Sequence, residues 1–385
     1  MHGERDIELW GGVECTVKRV GDTFFDQLER TGHAARLDDL DRIAAIGVTT
    51  VRYPVLWERA ARSLGAELDF TWTDARLARL RDLGLRVIVG LVHHGSGPRG
   101  TSLLEPSFAD GLADFAGAVA ARYPWVEDFT PVNEPLTTAR FSGLYGHWYP
   151  HAADARSFAR ALFNQCDATA RAMDAVRRVN PRARLVQTED IGKVFASRSL
   201  QYQADFENQR RWLSLDLLRG RVTREHALFG FLRDAGLSEG ELLRLADAPS
   251  PPDLIGVNYY VTSDRFLDEG HQNYPPAARG GNGRHVYVDV EAVRARQEGL
   301  VGHRDVLLEV YRRYGSPVAL TEVHLGCFPE EQIRWLNEAW AGAAAARAEG
   351  ADVRAVTMWS LFGAYDWDSL VTRRRGHYEP GVYDV

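Results

Sequence analysis

Cysteine is scarce. Cys15, Cys166 and Cys327 are the only three in 385 residues. An odd, widely spaced set forms neither a disulfide framework nor a zinc-ligand pattern. Cys166 falls in a helical pattern beside Leu162 and Met173 and reads as core. Long apolar runs are also missing: none approaches the ~18 residues needed to cross a bilayer. The opening Met1-His2-Gly3-Glu4-Arg5-Asp6 is charged and has no signal-peptide apolar region. A cytoplasmic chain without a membrane partner is expected. Positive charge is not in excess, since 46 basic residues face 53 acidic ones for a formal net charge of −7. That argues against a nucleic-acid partner, whose phosphates call for a basic face. No G-x-G-x-x-G or G-x-x-x-x-G-K-[ST] follows a strand-like run, so no nucleotide crevice is expected. No repeat of solenoid period is evident.

What the chain does have is 45% hydrophobic residues, with ten Trp, fourteen Tyr and sixteen Phe. That is enough for a large core. Length alone suggests two or three domains, but α/β barrels of this size are often one. Flat aromatic faces serve cores first and also serve sugar clefts.

Short apolar runs alternate with longer helical patterns. Strands are expected over Ile7–Val13, Val48–Tyr53, Arg86–Val92, Val126 to the tip at Glu134, Arg184–Thr188, Asp253–Asn258, Val318–Thr321 and Val353–Trp359. Helices are expected over Ala34–Ile46, capped by Gly47, then Thr71–Leu83 with Thr71 as its cap, Phe108–Tyr123, Ser157–Val179, His303–Tyr314 and Glu330–Ala348. Residues 197–246 read as polar and helical. The Gly- and Pro-rich stretch Asp268–Gly283 reads as a long loop, a lid at the catalytic end. Eight strands alternating with helices make a (β/α)8 barrel, here a single catalytic domain over 1–385. Sequence for an eighth helix is lacking, so a chain cut from a longer protein is one expectation. The other is that a fused domain or a second copy of the chain covers that side.

In such a barrel, chemistry sits at the strand tips. Thr130-Pro131-Val132-Asn133-Glu134-Pro135 puts an amide and a carboxyl at one tip, where Pro135 stops the strand. Pro317-Val318-Ala319-Leu320-Thr321-Glu322 puts a second carboxyl at another. Arg52, His93, His94, Asn258, Tyr260 and Trp359 stand at further tips, and Asp366 and Trp367 follow in the last loop. Each alone reads as a structural ion pair or a polar loop. Together they suit glycosidic bond cleavage, in which one carboxyl protonates the leaving oxygen and the other attacks the anomeric carbon. An Arg and a Tyr beside Glu322 would keep it ionised. No cofactor is expected. A metal site on His93 and His94 is disfavoured, because neighbouring strand residues face opposite ways.

The chain resembles glycoside hydrolase family 1. Trp10-Gly11-Gly12 is similar to the family's opening W-G, and Arg52-Tyr53-Pro54-Val55-Leu56-Trp57 to R-F-S-I-S-W. Thr130 to Pro135 is similar to T-x-N-E-P, Val257-Asn258-Tyr259-Tyr260 to I-N-Y-Y, and Thr321-Glu322 to T-E-N-G. Trp359 to Trp367 follows the spacing of W-S-L-L-D-N-F-E-W. The resemblance implies a retaining β-glycosidase with Glu134 as acid/base and Glu322 as nucleophile. It implies that Arg52 and Tyr260 support the nucleophile, and that His93, Asn133, Asn258, Trp359, Asp366 and Trp367 hold the sugar. A fused precedent, beside a dTDP-4-dehydrorhamnose reductase-like domain, is similar in its barrel.

Departures from the family pattern gather at the sugar. His94 stands for a Trp, Lys18 for a Gln, and Asp366 for a longer Glu. A non-standard or modified sugar follows. Lys18, His94 and the run Arg373-Arg374-Arg375 further suggest an acidic one. The alternative is a non-catalytic sugar-binding barrel, or a module of a bifunctional sugar-processing protein.

Overall fold

The computed structural model describes residues 6–385, so most of the charged opening lies outside the described residues. Eight parallel strands close into a barrel. They are β1 (Glu8–Gly12), β2 (Thr50–Pro54), β3 (Arg86–His93), β4 (Asp128–Asn133), β5 (Arg184–Asp190), β6 (Leu254–Asn258), β7 (Val318–Val323) and β8 (Val353–Met358). Each pairs with its neighbour in sequence, and β8 pairs with β1 to complete the ring. Alternation along the strands splits the apolar residues in two. Trp10, Ile88, Val186, Ala319 and Ala355 cluster inside the barrel. The outward residues, such as Ile255, Val257 and Leu320, pack beneath the helices.

The main helices are α1 (Asp39–Ala45), α2 (Thr71–Asp82), α3 (Ser107–Arg122), α4 (Ala155–Val179), α5 (His303–Tyr314) and α6 (Pro329–Ala348). α1 starts five residues later than periodicity suggests, because Asp39 turns back to His33 at 2.8 Å. Thr71 is not the cap of α2: the Asp69 carboxylate accepts from the Thr71 N–H at 2.9 Å. α5 ends at Gly315, whose φ of 65° only glycine adopts without strain. Four short helices, Gln201–Arg210, Leu213–Leu218, Phe229–Asp234 and Glu239–Asp247, lie between β5 and β6.

One region departs from expectation and another follows it. Asp268–Gly283 is not a plain loop. It belongs to a small sheet in which Arg279–Gly281 pairs with Val286–Glu291, which pairs in turn with Arg265–Asp268 and so with Val194–Ala196. This sheet walls one side of the barrel mouth through Arg265, Asp289 and Glu291. After β8, no α-helix follows among the described residues. The chain makes a short hairpin, Ala364–Tyr365 with Tyr378–Glu379. It then runs back toward α1, where the Tyr383 hydroxyl donates to the Arg42 carbonyl at 3.0 Å. Phe328, Ile333 and Trp340 on and before α6 stay exposed. No helix among the described residues is long and apolar enough to cross a membrane.

Candidate active site

A cavity of about 740 Å³ opens at the C-terminal mouth of the barrel and is lined by both Glu134 and Glu322. β4 stops at Asn133. Pro135 opens the short helix Pro135–Ala139, and Glu134 sits between them in the left-handed region at φ 46°. A non-glycine residue held there marks a site whose surroundings over-determine it. Those surroundings come from β5. Thr188 accepts the Glu134 N–H at 3.2 Å. Glu189, facing outward, caps the short helix: its Oε2 accepts from Leu136 N–H at 2.9 Å and Ser214 Oγ at 2.7 Å. Its Oε1 accepts from Thr137 N–H at 3.3 Å. A π-helical turn, Arg140–Leu144, follows directly, a form frequent at functional sites.

Glu322 is aimed by a slip in the β7–β6 register between Leu320 and Glu322. Arg52 Nη1 donates to its Oε1 at 2.9 Å, and the Tyr260 hydroxyl donates to its Oε2. The same guanidinium donates through Nη2 to Asn133 Oδ1 at 2.8 Å, so Arg52 spans both halves of the site. Glu134 has no cation: its Oε1 accepts from Asn258 Nδ2 at 2.6 Å. Burial, then the charge of Glu322, pushes the Glu134 carboxyl well above its ordinary value. Burial raises Glu322 as well, but Arg52 and Tyr260 oppose it. The result is one carboxyl biased to stay protonated and one supported as an anion.

His93 and His94 do not diverge as strand alternation suggests. His94 has left the strand at φ 56°, and both Nε2 atoms stand near Asn133 Nδ2, at 3.3 and 3.4 Å. Burial holds both rings neutral: His93 falls well below the usual imidazole range and His94 to about 3. The 3.8 Å approach of His94 to Glu134 is therefore not an ion pair. Among the described residues, no group of three His, Cys, Asp or Glu is arranged to hold a metal.

The other expected site residues differ in how near they stand to the cavity. His94, Tyr260, Trp359 and Trp367 line the cavity. Arg52, His93, Asn133 and Asn258 stand behind the lining, bonded or stacked to the residues that form it. Lys18 also stands behind the lining, bonded to Leu370, whereas the Asp366 side chain bonds to no lining residue. Lys18 Nζ donates to the Leu370 carbonyl and lies 4.1 Å from the Trp148 ring, and burial lowers its pKa to about 6. Asp366 is spent inside its own loop, with Oδ2 on Arg30 at 2.5 Å and Oδ1 on the Arg375 and His377 N–H groups. Arg373, Arg374 and Arg375 are exposed, and Arg375 pairs with Asp368. The charges that suggested an acidic sugar do not converge on the cavity.

Several lining residues escaped the sequence reading. Glu14 stands two residues past the tip of β1. His324 is bonded through Nε2 to Glu379 at 3.1 Å. Asp190 ends β5, and Arg140 follows the Glu134 helix. Continuing the inward series Trp10, Gly12, Glu14 was the available signal for the first. Gly12 itself has no room for a side chain, because a Cβ there would stand 2.4 Å from the Trp359 ring.

The family description "Glycosyl hydrolase family 1" matches residues 33–378. The chain belongs to glycosyl hydrolase family 1. Within family 1 it is 25% identical over 401 residues to a bifunctional β-D-glucosidase/β-D-fucosidase of Bifidobacterium breve, covering 93% of this chain and 83% of the relative. It is also 25% identical over 284 residues to a β-galactosidase of Saccharolobus solfataricus. That alignment takes in 69% of this chain and only 53% of the relative, so the chain spans about half its length. The fold is that of the family 1 β-glucosidase from Thermotoga maritima, with a TM-score of 0.76 at 18% identity, over 98% of this chain and 92% of that one.

Proposed function

We propose that the chain is a retaining β-glycoside hydrolase in which Glu322 is the nucleophile and Glu134 the acid/base. The observation that carries this is the unequal surroundings of the two carboxyls: Arg52 and Tyr260 on Glu322, a neutral amide on Glu134. In the first half-reaction a Glu322 oxygen bonds to the anomeric carbon as the bond to the leaving oxygen breaks. The Glu134 proton passes to that oxygen. In the second half, Glu134 takes a proton from water, the water oxygen bonds to the anomeric carbon, and the ester to Glu322 breaks. Arg52 and Tyr260 hold Glu322 in place and stabilise it as an anion when it leaves.

The sugar is non-standard in this reading. Two residues that would align with its grip, Lys18 and Asp366, are engaged with Leu370 and Arg30 instead. Lys18 and Arg373 to Arg375 do not line the cavity, and His94 there is neutral, so the residues that suggested an acidic sugar do not support that version. A 2-deoxy-2-fluoro glycosyl fluoride tests the chemistry. Mass spectrometry of the digested protein should find the fluorosugar on the Glu322 peptide. Labelling elsewhere, or none across gluco, galacto and fuco configurations, would overturn the assignment. The rival, a non-catalytic sugar-binding barrel, draws on the same spent contacts and predicts sugar binding with neither label nor turnover.

A further inference from the structure

We propose that Glu14 is the carboxylate that grips the bound sugar, accepting from a donor substituent of the ring, hydroxyl or ammonium. The inference rests on the Glu134–Glu322 reading for where the sugar lies. Trp10, Gly12 and Glu14 fall on one face of the β1 path, the face that looks into the barrel. Gly12 is bare, so the first inward side chain at the mouth on this path is that of Glu14. It is only 4% exposed, and what remains open faces the cavity.

Its pose is held from two sides. Glu14 Oε1 accepts from the Thr16 N–H at 2.9 Å. The Glu14 N–H donates to Ser360 Oγ at 3.1 Å, and that hydroxyl donates to the Gly363 carbonyl at 3.0 Å. Oε2 accepts no hydrogen bond among the described residues, and it is not closed off from the cavity that Glu14 lines. A carboxylate oxygen that faces a cavity with no protein donor is free to accept one from a ligand, and a charged acceptor makes the stronger bond.

Four other carboxyls of the cavity are committed. Both oxygens of Glu322 are bonded, to Arg52 and Tyr260. Glu379 holds His324, Asp368 holds Arg375, and Asp289 holds Arg265 at 2.8 Å. Asp366, which by alignment would be the gripping residue, is consumed by Arg30 and two backbone N–H groups. Burial, with the nearby charge of Glu322 adding to it, pushes Glu14 up to about 7. A donor from the ring would favour its ionised form and strengthen the bond.

The test is a double-mutant cycle between residue and substrate. Aryl β-glucoside, its four monodeoxy analogues and the 2-amino-2-deoxy analogue are compared on wild type, Glu14→Gln and Glu14→Ala. Wild type should lose about 10- to 100-fold in kcat/KM on one deoxy analogue, as a bond to a charged acceptor is lost. Glu14→Ala should turn over that analogue and the parent alike. A preference for the amino sugar that collapses in Glu14→Gln would identify ammonium as the donor. A uniform loss on every sugar in both variants would overturn the inference. The isosteric Gln variant covers the case in which Ala does not fold. Calorimetric Kd values for glucose, glucosamine and the deoxyglucoses read the same cycle without turnover. Discrimination there that vanishes in Glu14→Ala, with no turnover by wild type, would sink the catalytic reading and keep this one. Discrimination that persists in Glu14→Ala would overturn this one alone.

Discussion

Asn258 Nδ2 donates to Glu134 Oε1 at 2.6 Å, so the tip of β6 holds the side chain that leaves β4. This bond favours the ionised carboxyl, whereas burial and the charge of Glu322 favour the protonated one. The acid/base reading needs the second pair to win.

Two variants should therefore move the Glu134 titration in opposite directions. Glu322→Gln removes a nearby negative charge and should lower the pKa of Glu134. Asn258→Ala removes a donor to the anion and should raise it. Difference infrared titration of the carboxyl band reads both. A shift of the same sign in the two variants would contradict the account of what sets this proton.

Leaving groups separate the two carboxyls by role. Glu322→Gln should cost about 10⁴-fold or more in turnover on every aryl glycoside. Glu134→Gln should cost about 10²- to 10⁴-fold on alkyl and poor phenol leaving groups, and much less in the first step on acidic phenols. Pre-steady-state release of the phenol checks this. Equal losses across leaving groups for Glu134→Gln would remove it from the acid/base role.

Glu189 should act on Glu134 through the helix it caps. Glu189→Gln loses an anion at a helix N-terminus and part of a four-donor bond set, at a cost of about 1–2 kcal/mol in stability. It also removes a negative charge that raises the Glu134 pKa. The basic limb of kcat/KM should move toward acid, which a merely structural lesion would not produce. A melting shift with an unmoved pH profile would limit Glu189 to structure.

Arg30 and Asp366 should matter to stability more than to sugar choice. The carboxylate is fully buried, and Arg30→Ala leaves it short of its cation at a cost of about 3 kcal/mol. Denaturant unfolding measures the loss. If the glucoside-to-galactoside ratio changes several-fold while stability holds, Asp366 reaches the sugar after all.

Glu58 should shape the acid side of the stability curve. It is buried beside Gly97, whose N–H it accepts at 2.9 Å, and burial pushes it from 4.5 to about 7. Between those values the folded chain holds a proton that the unfolded chain has released. This contribution is complete below pH 4.5 and is lost as pH rises to about 7. Glu58→Gln should flatten that fall by up to about 3 kcal/mol, as read from melts between pH 4.5 and 7.5. A wild type whose stability rises over that window from this residue would contradict the sign.

The barrel was legible because its strands are apolar runs punctuated by Gly, Pro and polar tips. Even the carboxyl pair, far apart at 134 and 322, stood out from its position at two such tips. What escaped depended on partners distant in sequence. Lys18 finds Leu370, and Asp366 finds Arg30, only through the closed fold. The strand Arg279–Gly281 has no apolar alternation and exists through its pairing with Val286–Glu291. Periodicity could not show that His94 leaves the strand in a left-handed turn, which brings both imidazoles to Asn133.

Gly12 makes the floor of this cavity a place where variation has one door. Even a methyl group there would drive into the Trp359 ring, so a saturation library at that position should return glycine alone. Two residues on, the side chain of Glu14 reaches the mouth itself. Diversification of this barrel toward new sugars would enter along β1 at residue 14, with residue 12 silent beneath it.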